Sequence, residues 1–133
     1  MVDVTDLGPM TAVRAFVEAF NNDDVDLIQA ACEDETLIID DFPPHAWSGS
    51  RAATRWYQDM VRMAGEFGMS EPSVRLEGSG KVMGGNRSAY VVVPVDVRWL
   101  EDGAPAQRVG YMAMTAQEGD QGWRITACAW TWY

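Results

Sequence analysis

The stretch SAYVVVPVDVRWL, residues 88–100, decides the fold. Val91, Val93, Val95, Val97 and Trp99 recur at every second position, the period of a half-buried strand, and form its predicted inner face. Tyr90, Val92, Pro94, Asp96 and Arg98 then share the outer face. Turn signals bracket the run. Gly84-Gly85-Asn86 precedes it and Glu101-Asp102-Gly103 follows, both rich in residues that tolerate positive φ. Two further strands are predicted near 107–116 and 123–132, separated by a turn within 117–122. On the N-terminal side Val74 and Leu76 alternate with polar residues from about Ser73. The C-terminal half therefore reads as an antiparallel meander.

Working toward the N-terminus, the grammar becomes helical. Ala53, Trp56, Tyr57, Met60 and Ala64 follow the helical period, with Ser48 or Ser50 as the expected cap and Gly65 and Gly68 as the stop. Before them, Thr36-Leu37-Ile38-Ile39-Asp40 reads as a strand that Pro43-Pro44 ends, because proline cannot donate to a ladder. Val13, Phe16, Val17 and Phe20 line one face of a first helix, and Pro9 suits its first turn. Asn21-Asn22-Asp23-Asp24 ends that helix and caps a shorter second one with an apolar stripe of Val25, Ile28 and Cys32. The order α-α-β-α-β-β-β-β argues an α+β domain with helices on one face of a sheet.

Composition narrows the function. The 133 residues suit one domain, 1–133, and an apolar share of 47 % with six Trp and eight Met supports a sizeable core. A formal net charge of −10 with ten scattered basic residues argues against tracking a nucleic-acid backbone or an anionic membrane. Cys32 and Cys128 sit far apart in apolar surroundings and read as buried thiols. MVDVTDLGPM lacks the basic start and apolar run of a signal peptide, and no apolar stretch reaches a membrane span, so the expected location is cytoplasmic. One histidine and two isolated cysteines supply no metal-ligand spacing, and no cofactor is expected.

The element order resembles that of the nuclear transport factor 2-like superfamily, including the SnoaL-like cyclases, over nearly the whole chain. Three stretches carry the resemblance: Ala15-Phe16-Val17-Glu18-Ala19-Phe20-Asn21-Asn22-Asp23; Ile39-Asp40-Asp41-Phe42-Pro43-Pro44, continuing through Gly49 to Trp56-Tyr57; and Val97-Arg98-Trp99-Leu100-Glu101-Asp102-Gly103 with the Trp-rich terminal strand. It implies a cone-shaped, cystatin-like fold, with three N-terminal helices packed on a curved, mainly antiparallel sheet. Within the superfamily the local match is to ketosteroid isomerase. Asp40 falls at the place of that family's catalytic base, Tyr57 at a tyrosine of its hydrogen-bond network and Trp132 at its pocket tryptophan. Phe16 stands where its oxyanion-hole tyrosine would be, and Met112 where its partner acid would be. Limonene epoxide hydrolase offers a second comparison, in which Asp96 matches one aspartate of an Asp-Arg-Asp set while Pro94 and Trp130 replace the other two members.

The residues carry their own reasons. A carboxylate at the end of an apolar strand, among Phe, Trp and Tyr, is desolvated and can work as a general base or acid near neutral pH. Asp40 is that residue, and Asp41 reads as turning the chain before the prolines. The Tyr57 hydroxyl is a candidate donor, and His45, the only histidine, is a candidate catalytic group on the Pro-rich loop. Phe16, Phe20, Trp56, Met60, Trp99, Met112, Trp130 and Trp132 are the expected substrate-binding residues. The expected function is Asp-mediated proton transfer on a hydrophobic cyclic carbonyl metabolite, as an isomerase or cyclase. Alternatives are a non-catalytic lipophilic-ligand or dimerisation module, and an epoxide hydrolase-like enzyme that would need Asp96 in the pocket. Tyr90, Val92, Pro94 and Tyr111 would leave an apolar outer patch, so a homodimer is expected.

Overall fold

The computed structural model describes residues 8–78 and 80–132. Pro9 opens α1 (Pro9–Asn21), whose Val13, Phe16, Val17 and Phe20 are all buried. Asp24 caps α2 (Val25–Ala30), its carboxylate accepting from the Leu27 N–H at 3.1 Å. That helix is shorter than its sequence stripe suggests. Cys32 begins β1 (Cys32–Ile39) instead of ending α2. Two residues of β2 (Ala46–Trp47) follow the Pro43-Pro44 turn and fold back onto β1, pairing Ile38 with Trp47. No alternation announces so short a strand.

The third helix, α3 (Ala52–Glu66), begins at Arg51 and is not capped by Ser48 or Ser50. Its first turn is satisfied from a distance. Gln29 Oε1 of α2 accepts from the Thr54 N–H at 3.1 Å and the Thr54 hydroxyl at 2.8 Å, and Asp34 of β1 accepts from the Arg51 N–H. A tertiary cap leaves no local signature.

The sheet continues with β3 (Met69–Leu76), β4 (Lys81–Gly85), β5 (Ser88–Glu101), β6 (Ala104–Gly119) and β7 (Gly122–Trp132). Spatial order is β2-β1-β7-β6-β5-β3, and β4 pairs with β5. All pairings are antiparallel except β1 with β7. One edge of β5 serves two partners. Residues 88–92 pair with β4 and residues 95–101 with β3, and Pro94, which has no N–H, lies between the two sets. The Asp102-Gly103 hairpin has both residues at positive φ, 50° and 85°, as a tight turn with this twist requires.

Helices cover one face of the sheet. Val91, Val93 and Val95 of β5 lie beneath them with Met112 and Met114 of β6 and Cys128 and Trp130 of β7. A register shift between Thr115 and Ala116 moves the inward phase on β7 from Ile125 to Cys128 and Trp130. Both cysteines are buried and free, and burial pushes the Cys32 thiol up to about 12. Among the described residues no helix is long and apolar enough to cross a membrane.

One clamp ties the helical layer to the edge of the sheet. Asn21, at the end of α1, donates to the Val74 carbonyl at 2.8 Å and accepts from the Val74 N–H at 2.7 Å. It thereby occupies backbone groups that an edge strand would present to another chain. Asn21→Leu is expected to cost about 1–3 kcal/mol, because Val74 is buried and would lose both partners. The urea midpoint checks this, and an unchanged midpoint would remove the clamp from the account.

Candidate functional site

Between α3, the ends of β5 to β7 and the segment after β1 lies a cavity of about 320 Å³. Its walls are almost wholly apolar: Phe20, Phe42, Trp56, Met60, Met63, Val97, Trp99, Trp130 and Trp132 are among them. The polar side chains that break this lining are Asp40, Asp41, Ser70 and Arg108.

Asp40 sits one residue beyond β1 and is 9 % exposed. Its backbone N–H donates to the His45 carbonyl at 3.0 Å, which closes the Pro43-Pro44 loop behind it. Two indoles hold the carboxylate. Trp56 Nε1–H donates to Oδ2 at 3.0 Å, Trp132 Nε1–H to Oδ1 at 3.4 Å, and the Asp41 backbone N–H to Oδ1 at 2.8 Å. Burial raises the Asp40 pKa, and the three donors only partly restrain that rise. The neighbouring negative charge of Asp41 adds to it. The net shift is upward, as for a carboxyl removed from water and given neutral partners.

Those indoles belong to an aromatic ladder. Trp130 stacks between Trp56, at 5.8 Å and 17°, and Trp132, at 5.7 Å and 10°. Phe16 lies beneath, 5.8 Å from Trp56. Gly110 makes room for the end of this ladder, since a Cβ there would collide with the Thr131 carbonyl oxygen and press on the Trp132 ring. Trp99 and Trp130 each bury an indole N–H that has no partner among the described residues. An unpaired buried donor is costly, and groups of this kind recur at functional sites.

The rim is charged. Arg108 of β6 stands opposite Val97 of β5, its guanidinium 4.8 Å from the centre of the Trp132 ring and its Nη1 2.7 Å from Asp41 Oδ2. No metal-binding cluster of His, Cys, Asp or Glu occurs among the described residues.

The sequence candidates separate into groups. Asp40, Phe20, Trp56, Met60, Trp99, Trp130 and Trp132 line the cavity. Phe16 and Met112 do not, since both are fully buried in the core below it. Tyr57 turns away, and its hydroxyl donates to Asp23 at the end of α1. Burial and that acidic partner together raise its pKa. The reason is helical geometry: Trp56 and Tyr57 are neighbours about 100° apart, so one faces the cavity while the other faces α1. His45 is exposed on the loop, with Nδ1 3.2 Å from the Asp40 carbonyl oxygen, and does not line the cavity. Asp41, read from sequence as a turn residue, is also the rim partner of Arg108. Arg108 carried no signal in sequence, because its partners Asp41 and Trp132 lie 67 and 24 residues away.

Asp96 lies on the opposite face of β5 from Val97 and Trp99. There it is covered by Gln107 at 2.9 Å, Arg98 at 3.2 Å and Arg75 at 3.4 Å. Desolvation acts to raise its pKa, but the hydrogen bonds of Gln107 and Arg98 and the charges of Arg98 and Arg75 outweigh it and hold the carboxyl low.

No protein-family model matches the sequence, and no curated protein matches it. Solved structures do match its fold. A ketosteroid isomerase-like protein from Erwinia carotovora atroseptica superposes with a TM-score of 0.75 over 98 % of each chain, at 13 % identity. A nuclear transport factor 2-like superfamily protein from Salmonella enterica serovar Typhimurium gives 0.73 over 92 % of this chain and 86 % of its own, at 12 % identity. A nuclear transport factor 2-like protein with a cystatin-like fold from Novosphingobium aromaticivorans gives 0.72 over 90 % and 76 %, at 14 % identity. At such identities the likeness is one of fold.

Proposed function

From this shared fold, nuclear transport factor 2-like and cystatin-like, we propose that the chain is an enzyme that moves a proton at carbon on a hydrophobic, carbonyl-bearing ring metabolite. One observation carries the reading. A carboxylate with a raised pKa stands in the wall of an apolar cavity, held by two indole N–H donors. Such a group is a stronger base than an ordinary aspartate, and a general base works best when its pKa approaches the working pH. Asp40 takes the proton from one carbon and returns it to another.

Phe16 and Met112 supply no hydroxyl or carboxyl donor for the developing enolate oxygen. The unpartnered indole N–H groups of Trp99 and Trp130, both residues of the cavity lining, are neutral donors that could serve it. Both nitrogens are buried, so a ligand oxygen reaches them only when the side chains around them shift. Tyr57 has no part in this scheme because its hydroxyl is engaged by Asp23.

β-Tetralone, a flat bicyclic ketone with acidic benzylic protons, tests the reading. Wild-type protein in deuterium oxide should exchange those protons above the buffer rate and with saturation, followed by proton NMR. Saturable binding with no exchange would replace the enzyme by a ligand-binding module. Epoxide opening is set aside, because it needs Asp96 at the cavity.

The partner proposal is a second copy of the chain. On the outer sheet face the register aligns Ile39, Ala129, Ala113 and Val92 in one row and Tyr111 and Pro94 in the next. Ile39 and Tyr111 are 45 % and 37 % exposed, and Tyr90 and Val109 add to the patch. Burying such a face is favourable by roughly 25 cal/mol per Å². Light scattering at micromolar concentration should report twice the chain mass, and Ile39→Lys should return it to one. A monomeric wild type removes the proposal.

A further inference from the structure

We propose that Arg108 is the anion-recognition residue of the cavity, so that the ligand is a ring acid with an apolar cyclic body and a carboxylate at the rim. Placement is the first argument. Among the described residues lining the cavity Arg108 is the only Lys or Arg, and it lies on the inner face beside Val97. Most other arginines are engaged in local structure. Arg75 and Arg98 cover Asp96 on the far face, Arg55 serves the Ser48 and Ser50 carbonyls, Arg62 pairs with Asp59, and Arg87 with Glu118.

Availability is the second argument. Arg108 forms one hydrogen bond among the described residues, from Nη1 to Asp41, and the two side chains are 41 % and 48 % exposed. An exposed ion pair of this kind is worth about 0–1 kcal/mol, so a ligand carboxylate can displace Asp41 or share the fork. The guanidinium carbon meanwhile lies over the Trp132 ring, 4.8 Å from its centre, a cation–π contact that favours one placement of the head group. A planar, oriented fork suits bidentate carboxylate recognition.

The same indole links the two functions. Trp132 donates its N–H to Asp40 and offers its face to Arg108. A ligand carboxylate at Arg108 would therefore sit against the same indole that holds the Asp40 oxygen. The inference rests on the cavity reading above. The bland alternative is that Arg108 simply fastens the Asp41 loop to β6.

Two probes of one shape separate these readings: β-naphthoate and methyl β-naphthyl ketone, with binding followed by quenching of the cavity tryptophans. Wild type should prefer the naphthoate by roughly tenfold or more. Arg108→Gln should abolish that preference while ketone affinity stays within about threefold, and Arg108→Lys should keep part of it. Asp41→Asn should tighten naphthoate binding alone, by removing a competing carboxylate. An unchanged naphthoate-to-ketone ratio in Arg108→Gln, or equal weakening of both probes as a fastening role requires, overturns the inference. Failure of β-tetralone exchange with the ratio intact removes the catalytic reading and leaves this one. Binding of neither probe at millimolar concentration removes both.

Discussion

Asp40→Asn is expected to slow the exchange of β-tetralone protons by about 100- to 10,000-fold, the usual contribution of a positioned general base. The ketone's dissociation constant should stay within about threefold, since the cavity walls are otherwise untouched. An amide of nearly the same shape keeps the oxygen that accepts from the Asp41 and Trp132 N–H groups, loses the acceptor for Trp56 Nε1–H, and cannot take a proton from carbon. Exchange in the variant within tenfold of wild type would mean that another group is the base. The same substitution has a second consequence, in stability. A carboxyl whose pKa is raised in the folded state binds its proton more tightly there than in the unfolded chain. Its contribution therefore favours the fold below the unfolded value of about 3.9 and declines as pH rises through the native pKa. Asp96 has the opposite sign. Its lowered pKa stabilises the fold above about 3.9, and that stabilisation is lost as pH falls. Wild type should thus lose thermal stability relative to Asp40→Asn as pH rises from about 4 toward neutrality. A parallel pair of curves would show that Asp40 titrates normally.

Phe16→Ala is expected to cost about 3–5 kcal/mol, a large part of the roughly 5–15 kcal/mol available to a domain. Phe16 is fully buried and packs against Trp56 and Trp130, so its removal leaves a void beneath the ladder that positions the Asp40 donors. The urea midpoint should fall without a change in slope, and near-ultraviolet dichroism of the tryptophans should weaken. A loss under about 1 kcal/mol would mean that the ladder collapses onto the void without strain. Phe16 is thus better understood as the floor of the site than as a wall.

The face of each main element was legible in sequence, while depth and long-range partners were not. The alternating Val91, Val93, Val95 and Val97 gave the inner face of β5 directly, because alternation depends only on the pleat. The helical stripes of α1 and α3 were equally plain. Yet a stripe assigns a side, not a height: Phe16 and Met112 share the inner side with the cavity residues and lie below them. The strand β4 escaped notice because all five residues are exposed and carry no inward pattern. The helix α3 misled in its cap, which comes from Gln29 and Asp34, and in Tyr57, which serves α1. The essential clamp of the site joins positions 40, 56 and 132, and the rim joins 41, 108 and 132. Separations of that size leave no trace in local spacing. Only the resemblance to known proteins brought Asp40 and Trp132 together beforehand, and it was silent on Arg108.

The most direct test is the pH titration of the Asp40 side-chain carboxyl, followed by carbon-13 NMR and assigned by its absence in Asp40→Asn. The midpoint should lie above the ordinary aspartate value of about 3.9, and rise further in Trp56→Phe, which loses the first of the indole donors. A midpoint at or below the ordinary value would show that the donors and solvent have tamed the carboxylate. Asp40 would then be a polar lining residue and no base for carbon chemistry.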